Sequence, residues 1–263
     1  MISARPGESA PVDPELLAAR LQITDLQRQL AQAREVLEEF TYSVSHDLRA
    51  PLRHVSAYLK IIREDLGESV EPSIASHLQT AGDAAAQMAR MMDGLLEVSR
   101  TGRADMQVAN IDLPGLLPEL QHKLEPAIGA RAIAWRIAPD LPRVRGDLAL
   151  VGQMLWHLLA NAVKFTRSTS QPVIDVGWHA RDDGWCEIHI QDNGAGFDPR
   201  FADRLFRVFQ RLHSARQFEG LGIGLALARL IVERHGGSIR AEAAIGTGCR
   251  ISLTLPMASD PAA

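Results

Sequence analysis

The chain has 263 residues, and because an average domain has about 150 residues, two domains are the first expectation. Hydrophobic residues make up 46% of the chain but aromatic residues only 5%, which favours helices that pack through Leu, Ile, Val and Ala. The 28 basic and 32 acidic residues give a net charge of −4, which argues against nucleic acid or another polyanion as a general partner. Any phosphate-binding site must therefore be local.

Cysteine usage and hydropathy bear on the cellular compartment. Cys186 and Cys249 have neither metal-ligand spacing nor a disulfide pattern, so we expect two buried small hydrophobic side chains in a reducing environment. No signal peptide is recognised, which favours the cytoplasm. The most apolar stretch, Leu221–Val232, is interrupted by Arg229 and is far shorter than the roughly 20 residues that a membrane span needs. We predict no membrane-spanning segment.

The N-terminal region divides into an irregular leader and a heptad repeat. Residues 1–14 are rich in Ser, Pro, Ala and Gly without periodicity, which predicts a disordered leader. Residues 15–39 carry apolar side chains at heptad positions a and d, which a parallel two-stranded coiled coil would bury. One amphipathic helix that packs on its own domain is the alternative. The heptad residues are Leu16, Ile23, Leu30 and Leu37 at a, and Ala19, Leu26, Ala33 and Phe40 at d.

Two further helices are predicted at Phe40–Leu66 and Ser73–Arg100, within a domain at 40–101. Gly67 and Pro72 between them indicate a turn, so the two helices form an antiparallel hairpin. Apolar residues recur at three-and-four spacing in both helices. Two such hairpins would close a four-helix bundle across a homodimer.

Helix and strand patterns mix in the rest of the chain, which we divide into a linker at 102–110, a domain at 111–257 and a tail at 258–263. Strand pairs beside helices predict an α/β sandwich with a mixed sheet, so the whole chain is multidomain, with an all-α and an α+β part. The predicted helices are Leu113–Ile128, Asp147–Phe165 and Ile223–His235, and the predicted strands are Ile133–Ile137, Val173–Trp178, Trp185–Gln191, Ser238–Ala243 and Cys249–Leu255.

The first chemical signal is the pair His46-Asp47 inside the first hairpin helix. A neutral imidazole is a nucleophile when a carboxylate holds its other ring N–H, and Asp47 is placed to orient His46 in this way. Pro51 removes a helix hydrogen bond, which predicts a bend just after His46. In isolation, a His-Asp pair on a helix is more often a solvated surface pair.

A second signal lies on the predicted helix Asp147–Phe165. His157, Asn161 and Lys164 are spaced by four and three residues, so they share one helix face. The carbonyl oxygen of Asn161 suits Mg²⁺, and Lys164 can meet a phosphate group. An ordinary solvated face is the alternative for this segment alone.

A third signal follows the predicted strand Trp185–Gln191. Glycines at Gly194 and Gly196 allow a ligand to approach the backbone, and the carboxylate of Asp192 can accept from an amino group such as that of adenine. A simple turn is the alternative.

A fourth signal is the set of glycines that opens the last predicted helix. Gly220, Gly222 and Gly224 would present backbone N–H groups and the positive helix end to an anion. The pattern is neither a Rossmann fingerprint nor a Walker motif. The polar segment before it is typical of a mobile lid, from which Arg207 or Arg211 could reach phosphates, although either can be a plain surface charge.

Together and in this order, these segments resemble the motifs of two-component sensor histidine kinases, over about Phe40 to Pro256. The strings VFQRL and FEGLGIGLA are most similar to the phytochrome and PAS-linked kinases. His46 matches the H box, Asn161 with Lys164 the N box, Asp192 to Gly196 the G1 box, Phe206 and Phe209 the F box, and Gly220 to Gly224 the G2 box.

The resemblance implies a dimeric phosphotransfer hairpin followed by a GHKL (Bergerat) ATP-binding domain. It implies that ATP and Mg²⁺ bind between the N, G1 and G2 boxes, with Asn161 as the metal ligand and with His157, Lys164 and Arg211 in the nucleotide site. It also implies γ-phosphoryl transfer from ATP to His46 and then to an aspartate of a response regulator receiver domain. No sensor or receiver segment is recognised, so a catalytic fragment and a kinase governed by a separate input protein both stay open.

Two positions depart from the family pattern. His157 stands where the N box usually has an additional Asn, and imidazole suits a hard cation poorly, so we expect weaker nucleotide binding. Ala50 stands four residues after His46, where kinases with strong phosphatase activity usually have Thr or Asn, so we expect weak phosphatase activity.

Two other functions remain as alternatives. A degenerate kinase that acts as a dimeric scaffold would keep the fold without the chemistry. A different GHKL ATPase, of the chaperone or mismatch-repair type, would share the ATP motifs but would have no need for the segment from His46 to Pro51.

Overall fold

The computed structural model describes residues 14–67, 71–214 and 217–258. The predicted leader lies outside the described residues except for Pro14, and the predicted tail lies outside them except for Ala258.

Two long helices form the N-terminal part of the structure. Helix α1 spans Pro14–Leu66 without interruption, and α2 spans Pro72–Arg103, so the predicted coiled-coil segment and the first hairpin helix are one continuous helix. Polar contacts tie the two helices along their length, among them a 2.5 Å hydrogen bond from Arg49 to Asp93. The predicted antiparallel hairpin is confirmed.

Apolar side chains of α1 lie uncovered in the single chain. Those of Leu21, Ile23, Leu26 and Leu30 are each more than half exposed. Further along the hairpin, Tyr58 is 66% exposed. A helix this long with an uncovered apolar stripe gains stability when a second helix covers it.

Within the described residues, the C-terminal part contains three α-helices, one 3₁₀ helix and seven strands. A 3₁₀ helix at Pro199–Arg204 lies between the fifth strand and the last helix. The elements are β1 (Val108–Asp112), α3 (Leu113–Ile128), β2 (Ala134–Ile137), β3 (Arg143–Asp147), α4 (Leu148–Phe165), β4 (Val173–Ala180), β5 (Trp185–Asp192), α5 (Gly224–Arg234), β6 (Ile239–Ala244) and β7 (Gly248–Pro256).

The strands form one large sheet and one small ribbon. The large sheet has the order β2-β4-β5-β7-β6, with β2 and β4 parallel and the other neighbours antiparallel. The ribbon pairs β1 with β3, antiparallel. This is the predicted α/β sandwich with a mixed sheet, in which α3, α4 and α5 cover one face.

The hydrophobic core lies between that sheet face and the helices. In β5, side chains alternate, so that Cys186, Ile188 and Ile190 point into the core while Glu187 and His189 face the other side. Helix α4 supplies the largest share of the helical side. The buried residues of α4 are Leu150, Val151, Met154, Leu155, Leu158, Leu159, Ala162 and Val163.

The start of α4 is fixed by hydrogen bonds. The Asp147 carboxylate accepts from the backbone N–H of Leu150 at 3.0 Å and of Gln107 at 2.8 Å. Burial opposes ionisation of this carboxyl group, but the backbone hydrogen bonds lower its pKa below the usual value. The Asp147 backbone N–H donates to Nε2 of His235 at 3.0 Å, which joins the start of α4 to the end of α5.

Among the described helices, α4 is the one whose length and composition would suit a membrane span, and 44% of it is buried inside the structure. The sequence-based prediction of no membrane-spanning segment considered only Leu221–Val232 and not this helix.

The sequence analysis missed two strands. It assigned 102–110 to a linker, but α2 continues to Arg103 and β1 begins at Val108. It assigned no strand to Arg143–Asp147, which pairs with β1. Each strand has five residues and finds its partner about 35 residues away, so neither shows a clear local pattern.

Candidate functional site: a nucleotide cleft beside the hairpin

One cavity of about 730 Å³ lies between α4, α5, the end of β5 and helix α2. This volume lies within the usual range of small-molecule sites. Nearly every residue that the sequence analysis placed in the nucleotide site lines the cavity. These residues are His157, Asn161, Lys164, Asp192, Gly196, Arg211, Gly220, Gly222 and Gly224.

The polar stripe of α4 faces this cavity because the opposite face of the helix is buried in the core. Among the described residues, none hydrogen-bonds to the side chain of Asn161 or Lys164. The Lys164 ammonium lies 4.5 Å from the ring centre of Phe165. Burial lowers the pKa of Lys164, an effect that the nearby Glu219 carboxylate partly opposes. An amide oxygen and a desolvated ammonium group are therefore available to a ligand.

Asp192 reaches the cavity because it continues the inward alternation of β5. Its Oδ1 accepts from the backbone N–H of Gly194 at 2.8 Å, which holds the carboxylate at the cavity wall. Burial raises the pKa of Asp192 to about 6, although hydrogen bonds from the backbone of Gly194 and Cys249 favour the ionised form. Gly194 itself lies behind the wall, since it does not line the cavity.

Two glycines at the start of α5 have no room for a side chain. Gly222 has φ +75°, and a Cβ built there would lie 2.4 Å from the carbonyl oxygen of Gln210. Gly224 starts α5, and a Cβ there would lie 2.9 Å from Nδ1 of His157. A side chain at either position would therefore clash with Gln210 or with His157, while the helix start beside them favours an anion.

The segment between the 3₁₀ helix and this loop is fastened at several points. The backbone N–H of Phe209, which has φ 61°, donates to the carbonyl of Gly222 at 3.0 Å. Arg211 donates to the carbonyl oxygen of Phe218 at 2.5 Å. Of the two arginines that the sequence suggested for phosphate binding, Arg211 lines the cavity and Arg207 does not.

An ion pair joins Glu219, near the end of this segment, to Arg167, which lies just after α4. Arg167 and Glu219 form a two-point contact, with Nη1 2.7 Å from Oε2. The hydrogen bonds from Arg167 lower the pKa of Glu219 to about 2. Phe165, His213 and Phe218 pack ring against ring beside it, with centroids 5.0 to 5.4 Å apart.

His157 lies at the border between the cavity and α2. Its side chain is 16% exposed, and its Nε2 lies 4.0 Å from the Glu97 carboxylate. Burial lowers its pKa, and the Glu97 charge opposes this only in part, so the site favours the neutral imidazole.

The candidate nucleophile lies on α1, outside the cavity. The His46 side chain is 66% exposed, and its Nδ1 lies 3.2 Å from Oδ1 of Asp47. The ring of Tyr42 stacks near that of His46, with centroids 6.4 Å apart. With a proton on Nδ1 shared with Asp47, Nε2 carries the free lone pair.

Sequence reasoning missed the residues that join the hairpin to the cavity. Asp93, Gly94 and Glu97 of α2 line it, and Gln153 of α4 donates to Glu97 at 2.8 Å. One signal was available, because a lone glycine inside a helical pattern often marks close packing.

The fold and the site together define a class. Residues 36–103 match the sequence profile of the His kinase A (phospho-acceptor) domain. Residues 146–259 match that of the histidine kinase-, DNA gyrase B- and HSP90-like ATPases. The chain thus combines a phosphoacceptor hairpin with an ATP-binding domain.

Similar proteins give the family. The chain is 32% identical over 235 residues to cyanobacterial phytochrome B of Nostoc sp., covering 89% of this chain and 31% of that protein. It is 30% identical over 262 residues to the adaptive-response sensory kinase SasA of a Synechococcus strain, covering 94% of this chain and 68% of that protein. The chain belongs to the sensor histidine kinase family of two-component signal transduction.

Solved structures show the same fold. Full-length ShkA in complex with AMPPNP has a TM-score of 0.60 at 23% identity, covering 84% of this chain and 46% of that one. The Acinetobacter baumannii histidine kinase AdeS has a TM-score of 0.55 at 16% identity, covering 81% and 98%. The chain spans less than a third of the length of its phytochrome relatives, at 31% and 30%.

Proposed function

We propose that this chain is the catalytic core of a sensor histidine kinase that transfers the γ-phosphoryl group of ATP to His46 and then passes it to an aspartate of a response regulator. The observation that carries the proposal is the 730 Å³ cavity, which gathers the predicted nucleotide residues against the hairpin that bears an exposed His-Asp pair.

His46 has the arrangement that a nucleophile needs. Asp47 accepts from Nδ1–H and fixes the tautomer, so the lone pair of Nε2 can attack the γ-phosphorus. The N–P bond forms as the bond from phosphorus to the β,γ-bridging oxygen breaks, and ADP leaves with the electron pair. Asp47 then stabilises the positive charge on the phosphorylated ring.

The cavity residues fit a nucleoside triphosphate. Asp192 accepts from the adenine amino group, and the start of α5 with Lys164 binds phosphate. Arg211, at the cavity edge, adds a second cation. Since phosphoryl transfer depends on positioning and charge neutralisation, these groups supply most of what the reaction requires.

The site also fits Mg²⁺ through one protein ligand. The amide oxygen of Asn161 lines the cavity, and phosphate oxygens and water complete the usual shell of a hard cation. No group of three or more His, Cys, Asp or Glu side chains that could hold a metal occurs in the described part of the chain. Bound Mg²⁺ would neutralise charge on the phosphates. Because His157 is a poor ligand for it, we propose weaker nucleotide binding than an Asn there would give.

We further propose a homodimer that works in the cytoplasm with a receiver domain and with a separate input domain or protein. The uncovered apolar residues of α1 support dimerisation through the predicted coiled coil and bundle. Ala50 has no polar side chain to orient a water molecule, which supports weak phosphatase activity toward the regulator.

The test is autophosphorylation with Mg²⁺ and γ-labelled ATP. We expect acid-labile, base-stable label on the protein, and we expect H46Q to remove it while ATP binding persists. The matched control is H54Q, a second exposed histidine two turns further along α1, which should retain full labelling.

Retention of label in H46Q would refute the phosphoacceptor. Binding of ATP without any labelling, in the wild type as well, would instead favour the scaffold alternative, for which the poor metal ligand His157 is the supporting observation.

A further inference from the structure

Helices α2 and α5 lie side by side and run in the same direction. At the start of α5, Ile223 is so close to α2 that a Cβ built on Gly94 would overlap its Cδ1 atom. At the end of α5, Arg234 donates to the backbone carbonyls of Thr101 and Ala104, about two to three turns further along α2. The residues of α2 that precede Gly94 therefore extend beyond the first turn of α5, on the side where the helix dipole favours an anion.

Arg90 is the cation of α2 that lies in this position. It precedes Gly94 by four residues, which places it about 6 Å further along the helix axis and on the same face. Arg90 lines the cavity of about 730 Å³, as do Gly220 and Gly222 of the loop that leads into α5. The hairpin thus contributes a guanidinium group to the wall of the cavity, near the glycines that open α5.

The acidic side chains in the cavity wall are each held by another group. Within the described residues, no hydrogen bond or ion pair involves the side chain of Arg90. Its planar guanidinium has five N–H donors in a geometry that suits phosphate oxygens, so a bound polyphosphate would supply the partner that the protein does not. The acidic side chains and their partners are Asp93 with Arg49, Glu97 with Gln153, Asp192 with the backbone of Gly194, and Glu219 with Arg167.

We propose that Arg90 is a phosphate-binding residue of the nucleotide site, supplied by the hairpin and not by the ATP-binding domain. This rests on the proposed function and adds that the cavity holds the nucleotide between the two parts of the chain. Asp192 accepts from the adenine, while the guanidinium of Arg90 donates to phosphate oxygens in front of α5. Because the nucleotide contacts both parts, its binding stabilises the packing of α5 against α2.

Calorimetric titration of the full chain with Mg²⁺ and AMPPNP, a non-hydrolysable ATP analogue, tests the assignment. The variants are R90A, R90K and the matched control R100A, which removes a second exposed arginine of α2 that does not line the cavity. Each protein is titrated at low and at high salt. Urea unfolding without nucleotide shows whether a variant changes the stability of the protein.

We expect R90A to bind AMPPNP about tenfold more weakly than the wild type, because a charge-assisted hydrogen bond to phosphate is lost. R90K keeps the charge without the planar group, so it should lose less. The affinity of R90A should also depend less on salt than that of the wild type, since one cation fewer faces the phosphates. R100A should bind like the wild type, and none of the variants should change the free energy of unfolding.

Equal AMPPNP affinity in R90A and the wild type would overturn the proposal. An equal loss in R100A would also overturn it, because the effect would then belong to the charge of α2 as a whole. A loss in R90A that comes with a lower free energy of unfolding and an unchanged salt dependence would assign Arg90 a structural role instead. No AMPPNP binding in the wild type would refute the nucleotide site, and with it the proposed kinase function.

Discussion

Asp192 combines two properties that conflict below about pH 6. Burial favours its neutral form and raises its pKa to about 6, whereas an acceptor for the adenine amino group is strongest as a carboxylate. A bound adenine that donates to Asp192 stabilises the ionised form and so lowers this pKa. We therefore expect nucleotide affinity to depend on pH.

We expect ADP affinity to be constant above about pH 6 and to weaken as the pH falls below it, since binding must then remove a proton from Asp192. The slope approaches tenfold per pH unit, which is the limit for one proton. Calorimetric titration with ADP between pH 5 and pH 8 measures this. D192N should bind more weakly and lose the dependence, and the same slope in D192N would assign it to another group.

The residues that line the cavity could be predicted from the sequence because each of their patterns is local. Asn161 and Lys164 share a helix face through their spacing, and Asp192 follows a strand whose alternation directs it inward. The partners of His157 were not visible, because Glu97 reaches it only when the hairpin packs against α4. A contact between residues 60 positions apart produces no recognisable pattern in either local sequence.

Regular elements were predicted well where the pattern is long. The five α-helices of the described residues were predicted, with the hairpin turn in place, because apolar periodicity over several turns is unambiguous. The ribbon of β1 and β3 was missed because the pairing of Ile111 with Val144 depends on the chain between them. The bend at Pro51 stays a prediction, although α1 continues through that residue.

The outer face of the sheet is stabilised by an ion pair that spans three strands. Arg240 of β6 reaches across β7 to Glu187 of β5, with Nη1 2.8 Å from Oε2. The Glu187 side chain is only 6% exposed, while that of Arg240 is 54% exposed. The hydrogen bonds from Arg240 lower the pKa of Glu187.

We expect R240A to reduce the free energy of unfolding by about 1–2 kcal/mol at pH 7, because a buried carboxylate loses its partner while water screens part of the effect. Since the folded pKa of Glu187 lies below its usual 4.5, this stabilisation is present above about pH 4.5 and is lost as the pH falls through the folded pKa. Urea unfolding at pH 7 and pH 4 should show the difference shrink.

The control for this pair is R229A, which removes an exposed ion pair with Glu233 on α5. It should change stability by less than about 0.5 kcal/mol at either pH. An R240A effect of the same small size would show that the pair across the sheet contributes nothing beyond a surface contact.

The described residues join a hairpin that carries the exposed pair His46-Asp47 to a sandwich with a cavity of about 730 Å³. Sequence alone predicted both parts and their order, since each is defined by its own patterns. It could not predict how they meet, because the contact depends on the shape of Gly94 and Ile223 together. We infer that this arrangement delivers a phosphoryl group to Nε2 of His46, the ring nitrogen that Asp47 leaves free.

The most direct measurement is the position of the phosphoryl group on the protein. The chain, with ¹⁵N-labelled histidine, is incubated with ATP and Mg²⁺, and correlated ¹⁵N and ³¹P NMR identifies the phosphorylated nitrogen. We predict one phosphohistidine, at Nε2 of His46. Phosphorylation at Nδ1 of His46, on another residue, or on none would contradict the account.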